Sequence, residues 1–469
     1  MSKIDYKKAS TYYFIGNMFN KGMSFLTVPV FSRLLSTADY GIVTTYNSWI
    51  SILAMVIGLA LHMGIRAAFI DYEEKIDDFM SVTTTFTLES GIVLSGMVVV
   101  VTLLLRIDIS LTLIVLCLLQ GLASALVQNY SMYLMMKYKY KFRTVLMVLP
   151  NLISVVLSIL AILFVVKTEA LYMGRIVPTA VVNILFGFLI CIWVYKKSNL
   201  LHSIKYLNYG LKISAPLVLH GIALIILSQS DRIMISWFAD ESQTGIYSLI
   251  YNFSMLATVI TTSLEGVWVP WFMLKYKENQ ISQINKMVVY YDKLMSITMI
   301  GLVLIGPEVI HILSPEKYWE GISIIPPVVL ANYLIFLYTL YVNVEHFHKK
   351  TPYITVNTII SAIINIVLNL IFIPQFGYVA AAYTTLASYF VSLLLHAIYA
   401  KRLNKTIYPL KLFIPSLLQI AVATVLFYSM MDYAVLRWGT AIAYIAIITF
   451  LNRKKIVELF PSVIKKTNK

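Results

Sequence analysis

Apolar runs of about twenty residues recur along this chain from residue 11 to residue 452. One such run is long enough to cross the hydrocarbon core of a bilayer as an α-helix. Fourteen spans can be drawn: 11–32, 43–66, 80–105, 109–135, 145–166, 171–195, 213–238, 246–272, 288–313, 322–345, 353–373, 378–400, 410–431 and 434–452. The runs are continuous, unlike the ten-residue alternation of a membrane β-barrel. Charged residues make up 13% of the chain, against about a quarter in soluble domains. The reading is an all-α polytopic membrane protein.

A formal net charge of +15 invites a nucleic-acid reading. The placement of the charges argues for membrane topology instead, with no nucleic acid. If the N-terminus lies inside, the inner loops receive Lys3, Lys7, Lys8, the KYKYKFR stretch at 137–143, Lys196, Lys197, Lys349, Lys350, Lys401 and Arg402. The outside receives only Arg33, Arg106, Lys167, Lys317 and Arg437. Such a bias over short loops sets orientation and predicts both termini in the cytoplasm. The acidic loop 66–79 is the exception, and acidic residues carry little topological weight. The N-terminal run lacks a small-residue cleavage site, so the first span is expected to be retained. Cys117 and Cys191 lie inside apolar runs, which predicts neither a disulfide nor a metal site. No phosphate-cradling glycine loop, nucleotide domain or His/Cys metal spacing appears, so no cofactor and no enzyme activity are expected. Outer loops too short for a domain weigh against a polysaccharide polymerase or ligase.

The chain repeats internally. GIVTTYNSW at Gly41 matches GIYSLIYNF at Gly245, an offset of 204, and ALYMGRIVPTA at Gly174 matches IPQFGYVAAAY at Gly377, an offset of 203. Spans 1–6 then correspond to spans 7–12. Six is even, so the halves run in the same direction and form two lobes about an axis along the membrane normal. The expected division is 1–205, 206–402 and 403–469, the last holding spans 13 and 14 and a basic tail.

Polar side chains at membrane depth are costly and mark packing or pathways. A lysine at the centre of a span costs roughly 2.5–3.5 kcal/mol, and Lys21 stands there with Asn17, Asn20 and Ser24 on its face. Other charges within or at the ends of spans are Arg66, Glu89, Arg175, Asp231, Arg232 and Glu265. Span 8 lines up Tyr247, Tyr251, Ser254, Thr258, Thr261, Glu265, Trp268 and Phe272 on one arc, expected to face a cleft between the lobes. Span 10 offers Asn332, Thr339, Asn343 and His346, and span 11 offers Thr358, Ser361, Asn365 and Asn369. Pro29, Pro216, Pro270 and Pro326–Pro327 predict local bends.

The segments VPVFSRLLSTADYGIVTTYNSW, GLALHMGIRAAF and SQSDRIMISWFADESQTGIYSLIYNF resemble the polysaccharide-exporter branch of the multidrug/oligosaccharidyl-lipid/polysaccharide superfamily. Within it the chain is most similar to O-antigen and capsule repeat-unit flippases of the Wzx type. The resemblance implies two six-helix lobes around a central cationic cavity, alternating access, and a bacterial inner-membrane location. It implies transfer of undecaprenyl-pyrophosphate-linked oligosaccharides from the cytoplasmic to the periplasmic leaflet. Membrane lipids, a coupling proton or sodium ion, and the polymerase and chain-length proteins of the same pathway are the implied partners. Cavity residues would be Lys21, Arg66, Arg175, Arg232, Asn17, Asn20, Tyr247, Tyr251, Thr258 and Asn365, with Asp231 and Glu265 as ion-coupling candidates. A drug or cation antiporter of the same superfamily is the competing reading. It would place those two carboxylates in the cavity.

Overall fold

The computed structural model describes residues 22–459 other than 24, 107 and 108. In chain order the described helices are α1 (Val28–Leu34), α2 (Thr37–Gly58), α3 (Leu61–Asp71), α4 (Ile76–Leu104), α5 (Leu111–Met136), α6 (Tyr140–Phe164) and α7 (Leu171–Tyr195). They continue as α8 (Ile204–Phe238), α9 (Glu241–Ser254), α10 (Leu256–Lys277), α11 (Ile281–Leu313), α12 (Ile325–Phe347), α13 (Thr351–Leu403), α14 (Ile414–Ser429) and α15 (Ala434–Leu459). The described residues contain no strand. The protein is a multi-pass membrane protein: ten of its helical segments are long and apolar enough to cross a bilayer. One of these, α13, is two helices joined at Gly377, whose φ of +57° interrupts the helical path. With α14 and α15, helices among the described residues stand at thirteen of the fourteen expected crossings, and most of the first span lies outside the described residues.

Two expectations about continuity are corrected. Span 2 breaks between α2 and α3, where Leu59 and Ala60 adopt φ of 44° and 50°. Span 8 is divided into α9 and α10 at Met255, where the backbone stays helical at φ −62° and ψ −12°, so it runs on as one crossing, Glu241–Lys277. Pro326 and Pro327 do not bend a span. They occupy the first turn of α12, where a missing N–H removes no helical bond, and a 3-10 stretch (Glu316–Ile324) precedes them.

The repeat is visible in the caps. Ser36 and Asp39 form a reciprocal capping box at the start of α2. Asp240 caps α9 by accepting from Gln243 N at 2.8 Å. Asp39 Oδ1 also accepts from Tyr172 N, and Gln243 Oε1 accepts from Tyr378 N, each at 3.2 Å. Asp39 and Gln243 therefore do the same work in their own halves, tying the second span of each repeat to the start of the sixth.

These equivalent helices also meet each other. A Cβ on Gly41 would collide with the carbonyl of Glu241, and one on Gly245 with the carbonyl of Thr37. The contact is reciprocal about the pseudo-twofold axis and requires glycine on both sides. Beside it Thr37 Oγ1 meets Ser242 Oγ at 2.6 Å, and Ser248 Oγ donates to Thr44 Oγ1 at 3.0 Å. Arg33 donates to the Ile312 carbonyl at 2.8 Å, and Lys317 to the Leu35 carbonyl at 2.6 Å. Together these contacts close one end of the bundle.

At the other end the first third of α8 leans on the N-terminal spans. Tyr206 and Tyr209 pack edge-on against Tyr72, Gly64 touches the backbone of Gly210, and Ser214 Oγ donates to the Ala60 carbonyl at 3.0 Å. Arg437, expected in an outer turn, is instead buried in the first turn of α15. It donates to the Met430 carbonyl at 2.8 Å, to the Met431 carbonyl, and to Glu308 of α11. The guanidinium thus satisfies carbonyls just past the end of α14 while its charge is matched by Glu308. This anchors the last two helices to the C-terminal half.

The closed end generates a crosslinking prediction. In a background lacking Cys117 and Cys191, Thr37→Cys with Ser242→Cys should form an intramolecular disulfide under mild oxidation, seen as a mobility shift on gels. Adding Gly245→Leu should abolish it. A folded double-cysteine protein that never crosslinks would contradict the crossing.

Candidate functional site

Just within the closed end lies a cavity of about 270 Å³ between the two halves. α2 contributes Tyr40, Thr44, Asn47 and Ser51, α7 contributes Arg175, and α8 contributes Gln229 and Arg232. Arg175 stacks on Phe31, its guanidinium carbon 4.1 Å from the ring centre, and Arg232 on Tyr251 at 4.6 Å. Stacking holds each planar head, and Arg175 Nη1 also donates to Ser158 Oγ at 3.2 Å. Arg232 Nη1 also donates to the Ser228 carbonyl at 3.0 Å and to Gln229 Oε1 at 3.2 Å. Among the described residues no carboxylate lies within ion-pair distance of either arginine, and none lines the cavity. The cavity therefore carries positive charge from both halves in a setting shielded from bulk water, where an anion is held more strongly than at a surface.

Asp231 is next to Arg232 in sequence and turned away from it, as a 100° helical step requires. Its side chain is fully buried. Oδ2 accepts from the Tyr247 hydroxyl and from Thr385 Oγ1, each at 2.5 Å. Oδ1 accepts from Asn369 Nδ2 at 2.8 Å and from Asn365 Nδ2 at 3.4 Å. Thr384 in turn donates to Asn369 Oδ1, and Ser230 Oγ donates to Asn365 Oδ1 at 2.8 Å. Four neutral donors from α9 and both halves of α13 enclose this carboxylate. Each of them donates a hydrogen bond to it, and none carries a charge.

The other candidates are dispersed. Tyr247 and Asn365 are buried around Asp231, and Thr258 Oγ1 donates to Asn332 Oδ1 at 3.0 Å. These three, expected in the cleft, point into the C-terminal half. Tyr251 reaches the cavity only as the platform under Arg232. Arg66 is exposed on α3 and does not line the cavity. Glu265 is half-buried on α10, within electrostatic reach of Tyr338 and apart from the cavity. Asn17, Asn20 and Lys21 lie outside the described residues. Sequence reasoning missed Tyr40, Gln229 and Asn252 of the cavity and Thr385 of the carboxylate site. Gln229 stood one turn before Arg232, which was the available signal.

Comparison with known proteins supplies the family. The family model described as polysaccharide biosynthesis protein matches residues 7–274, more than half of the chain. The chain belongs to the polysaccharide biosynthesis protein family. A protein of the Lsg locus of Haemophilus influenzae is 23% identical over 385 residues, covering 76% of this chain and 88% of that protein. An uncharacterised membrane protein of the same organism is 22% identical over 373 residues with the same coverage. Among solved structures, an inward-facing multidrug resistance MATE transporter of the MOP superfamily superposes with a TM-score of 0.62 at 12% identity, covering 85% of this chain and 99% of that one. The lipid II flippase MurJ in an inward closed conformation superposes with a TM-score of 0.61 at 16% identity, covering 96% and 99%. The family member described here shares their fold.

The carboxylate site generates a stability prediction. Asp231→Leu leaves several buried donors unpaired and should cost about 3 kcal/mol, seen as a clear drop in thermal stability in detergent. Asp231→Asn preserves an acceptor and should fold normally. Equal stability of wild type and Asp231→Leu would contradict the network.

Proposed function

We propose that the protein is a flippase that moves undecaprenyl-pyrophosphate-linked oligosaccharide repeat units from the cytoplasmic to the periplasmic leaflet, for O-antigen or capsule synthesis. One observation carries the reading: Arg175 and Arg232, from opposite halves, share an interlobe cavity that no carboxylate among the described residues lines. A diphosphate is the ligand that such a pair of guanidinium groups fits. Asn47, Ser51, Gln229 and Asn252 offer amides and a hydroxyl to sugar, while Phe31 and Tyr40 offer aromatic faces. Membership of the polysaccharide biosynthesis family and a fold shared with a lipid II flippase support the same direction. A cation antiporter would need its carboxylates in this cavity. Asp231 is buried behind it and Glu265 stands apart from it, which disfavours that alternative.

The cavity, at about 270 Å³, is smaller than the roughly 300–1,000 Å³ of a typical ligand site. Loading a glycan then requires the lobes to part, which suits alternating access with the division 1–205, 206–402 and 403–469. We take the closed end as periplasmic, because the basic turns gather at the other end and positive loops stay inside. The prenyl tail remains in lipid. Lys21 would assist the two arginines, Asp231 would hold the coupling ion, and Glu265 is the second candidate for that role.

Complementation of a deletion strain tests the reading. Arg175→Ala, Arg232→Ala and Lys21→Ala should each reach the membrane, abolish surface glycan and accumulate the lipid-linked repeat unit. The arginine-to-lysine changes and Lys21→Arg should retain part of the export. Normal export by Arg175→Ala with Arg232→Ala combined would contradict the proposal, as would a deletion that alters only drug sensitivity.

A further inference from the structure

A second titratable cluster lies in the C-terminal half, at the end opposite the closed one. Glu345, in the last turn of α12, and His396, in the second helix of α13, are both fully buried. His396 Nδ1 lies 2.9 Å from Glu345 Oε2 and 3.1 Å from Oε1. Among the described residues no lysine or arginine lies within ion-pair distance of this carboxylate. The neighbouring His346 is exposed, three residues before the Lys349–Lys350 turn. His220 of α8 lies within electrostatic reach of both His346 and His396, and its Nδ1 is buried without a hydrogen-bond partner among the described residues. The other titratable groups facing the pair are Tyr399, with Arg402 near it, from α13, and Glu265 of α10 by way of Tyr338. α11 directs its own carboxylate, Asp292, to Tyr333 and Ser416 instead. No three His, Cys, Asp or Glu side chains among the described residues are arranged to hold a metal ion.

The pair is joined to the carboxylate site by a column of tyrosines. Tyr338 stacks on His396 with ring centres 5.6 Å apart, and on Tyr389 at 6.2 Å with planes 7° apart. Tyr389 and Tyr251 lie within electrostatic reach of each other. Tyr251 packs on Tyr247 at 5.8 Å, and Tyr247 donates to Asp231.

We propose that Glu345 and His396 form a proton-binding site, reached through His346 and coupled to Asp231 by the Tyr338–Tyr389–Tyr251–Tyr247 column. With one proton between Nδ1 and the carboxylate, the pair carries one negative charge. A second proton taken up at Nε2 gives an imidazolium–carboxylate pair of zero net charge, so no other group need move into the interior to balance it. The tyrosine column lets that change of charge bear on the carboxylate of Asp231. The site goes beyond the transport reading and is testable without any substrate.

The experiment is a pH titration, from about pH 5 to 9, of ¹⁵N-histidine-labelled full-length protein in nanodiscs by NMR. His396→Gln assigns the resonance. In wild type the His396 ring should pass from neutral imidazole to imidazolium within this window. Glu345→Gln should abolish that transition, Glu345→Asp should keep it with a shifted midpoint, and Asp231→Asn should shift the midpoint in otherwise native protein. A His396 ring fixed in one state, or one titrating identically in wild type and Glu345→Gln, overturns the site. A midpoint unmoved by Asp231→Asn overturns the coupling.

Discussion

Everything in this architecture depends on two backbones touching at one end of the helix bundle. Where Gly41 meets the Glu241 carbonyl and Gly245 meets the Thr37 carbonyl, the two halves approach more closely than any side chain permits. Lipid tails are as apolar as leucine, so helices gain little from the hydrophobic effect by associating there. Close packing and satisfied polar groups must supply the adhesion. Hydroxyl pairs at Thr37–Ser242 and Thr44–Ser248, with Arg33 and Lys317 reaching carbonyls across the junction, do so at one end, and Ser214 Oγ reaching the Ala60 carbonyl does so at the other.

Behind the junction, charges are handled in two opposite ways. The arginines line the cavity and, among the described residues, have no carboxylate within ion-pair distance. Asp231 is surrounded by donors and holds its charge at a point that the cavity does not reach. The adjacency of residues 231 and 232 on one helix makes these two environments back-to-back. In the proposed cycle, a cation bound at Asp231 would change the field felt by an anion beside Arg232, one helical step away.

Much of this was legible in the sequence, and the failures have definite causes. Apolar run length gave the crossings, and the 203/204 offset identified equivalent residues. Equivalence does not imply contact, so nothing in GIVTTYNSW and GIYSLIYNF foretold that their glycines face each other. Periodicity located the polar faces of spans 8, 10 and 11 without giving their direction. Tyr247, Thr258 and Asn365 accordingly went to the C-terminal interior rather than to the cleft. The break at Leu59–Ala60 directly follows Gly58, a signal that the reading passed over, whereas Met255 has no glycine or proline beside it. Arg437 read as a loop charge because a snorkelling arginine and one capping a buried helix end look alike in sequence.

The central claim is that the two-arginine cavity holds a lipid-linked diphosphate. Equilibrium binding of undecaprenyl diphosphate to the protein in nanodiscs, with undecaprenol as the uncharged control, tests it most directly. The account predicts salt-sensitive binding of the diphosphate alone, weakened about a hundredfold or more when Arg175 and Arg232 are both changed to alanine, because each charge-assisted contact contributes about 1.5–3 kcal/mol. Equal affinity for the alcohol and the diphosphate, or an unchanged affinity in the double variant, would contradict it.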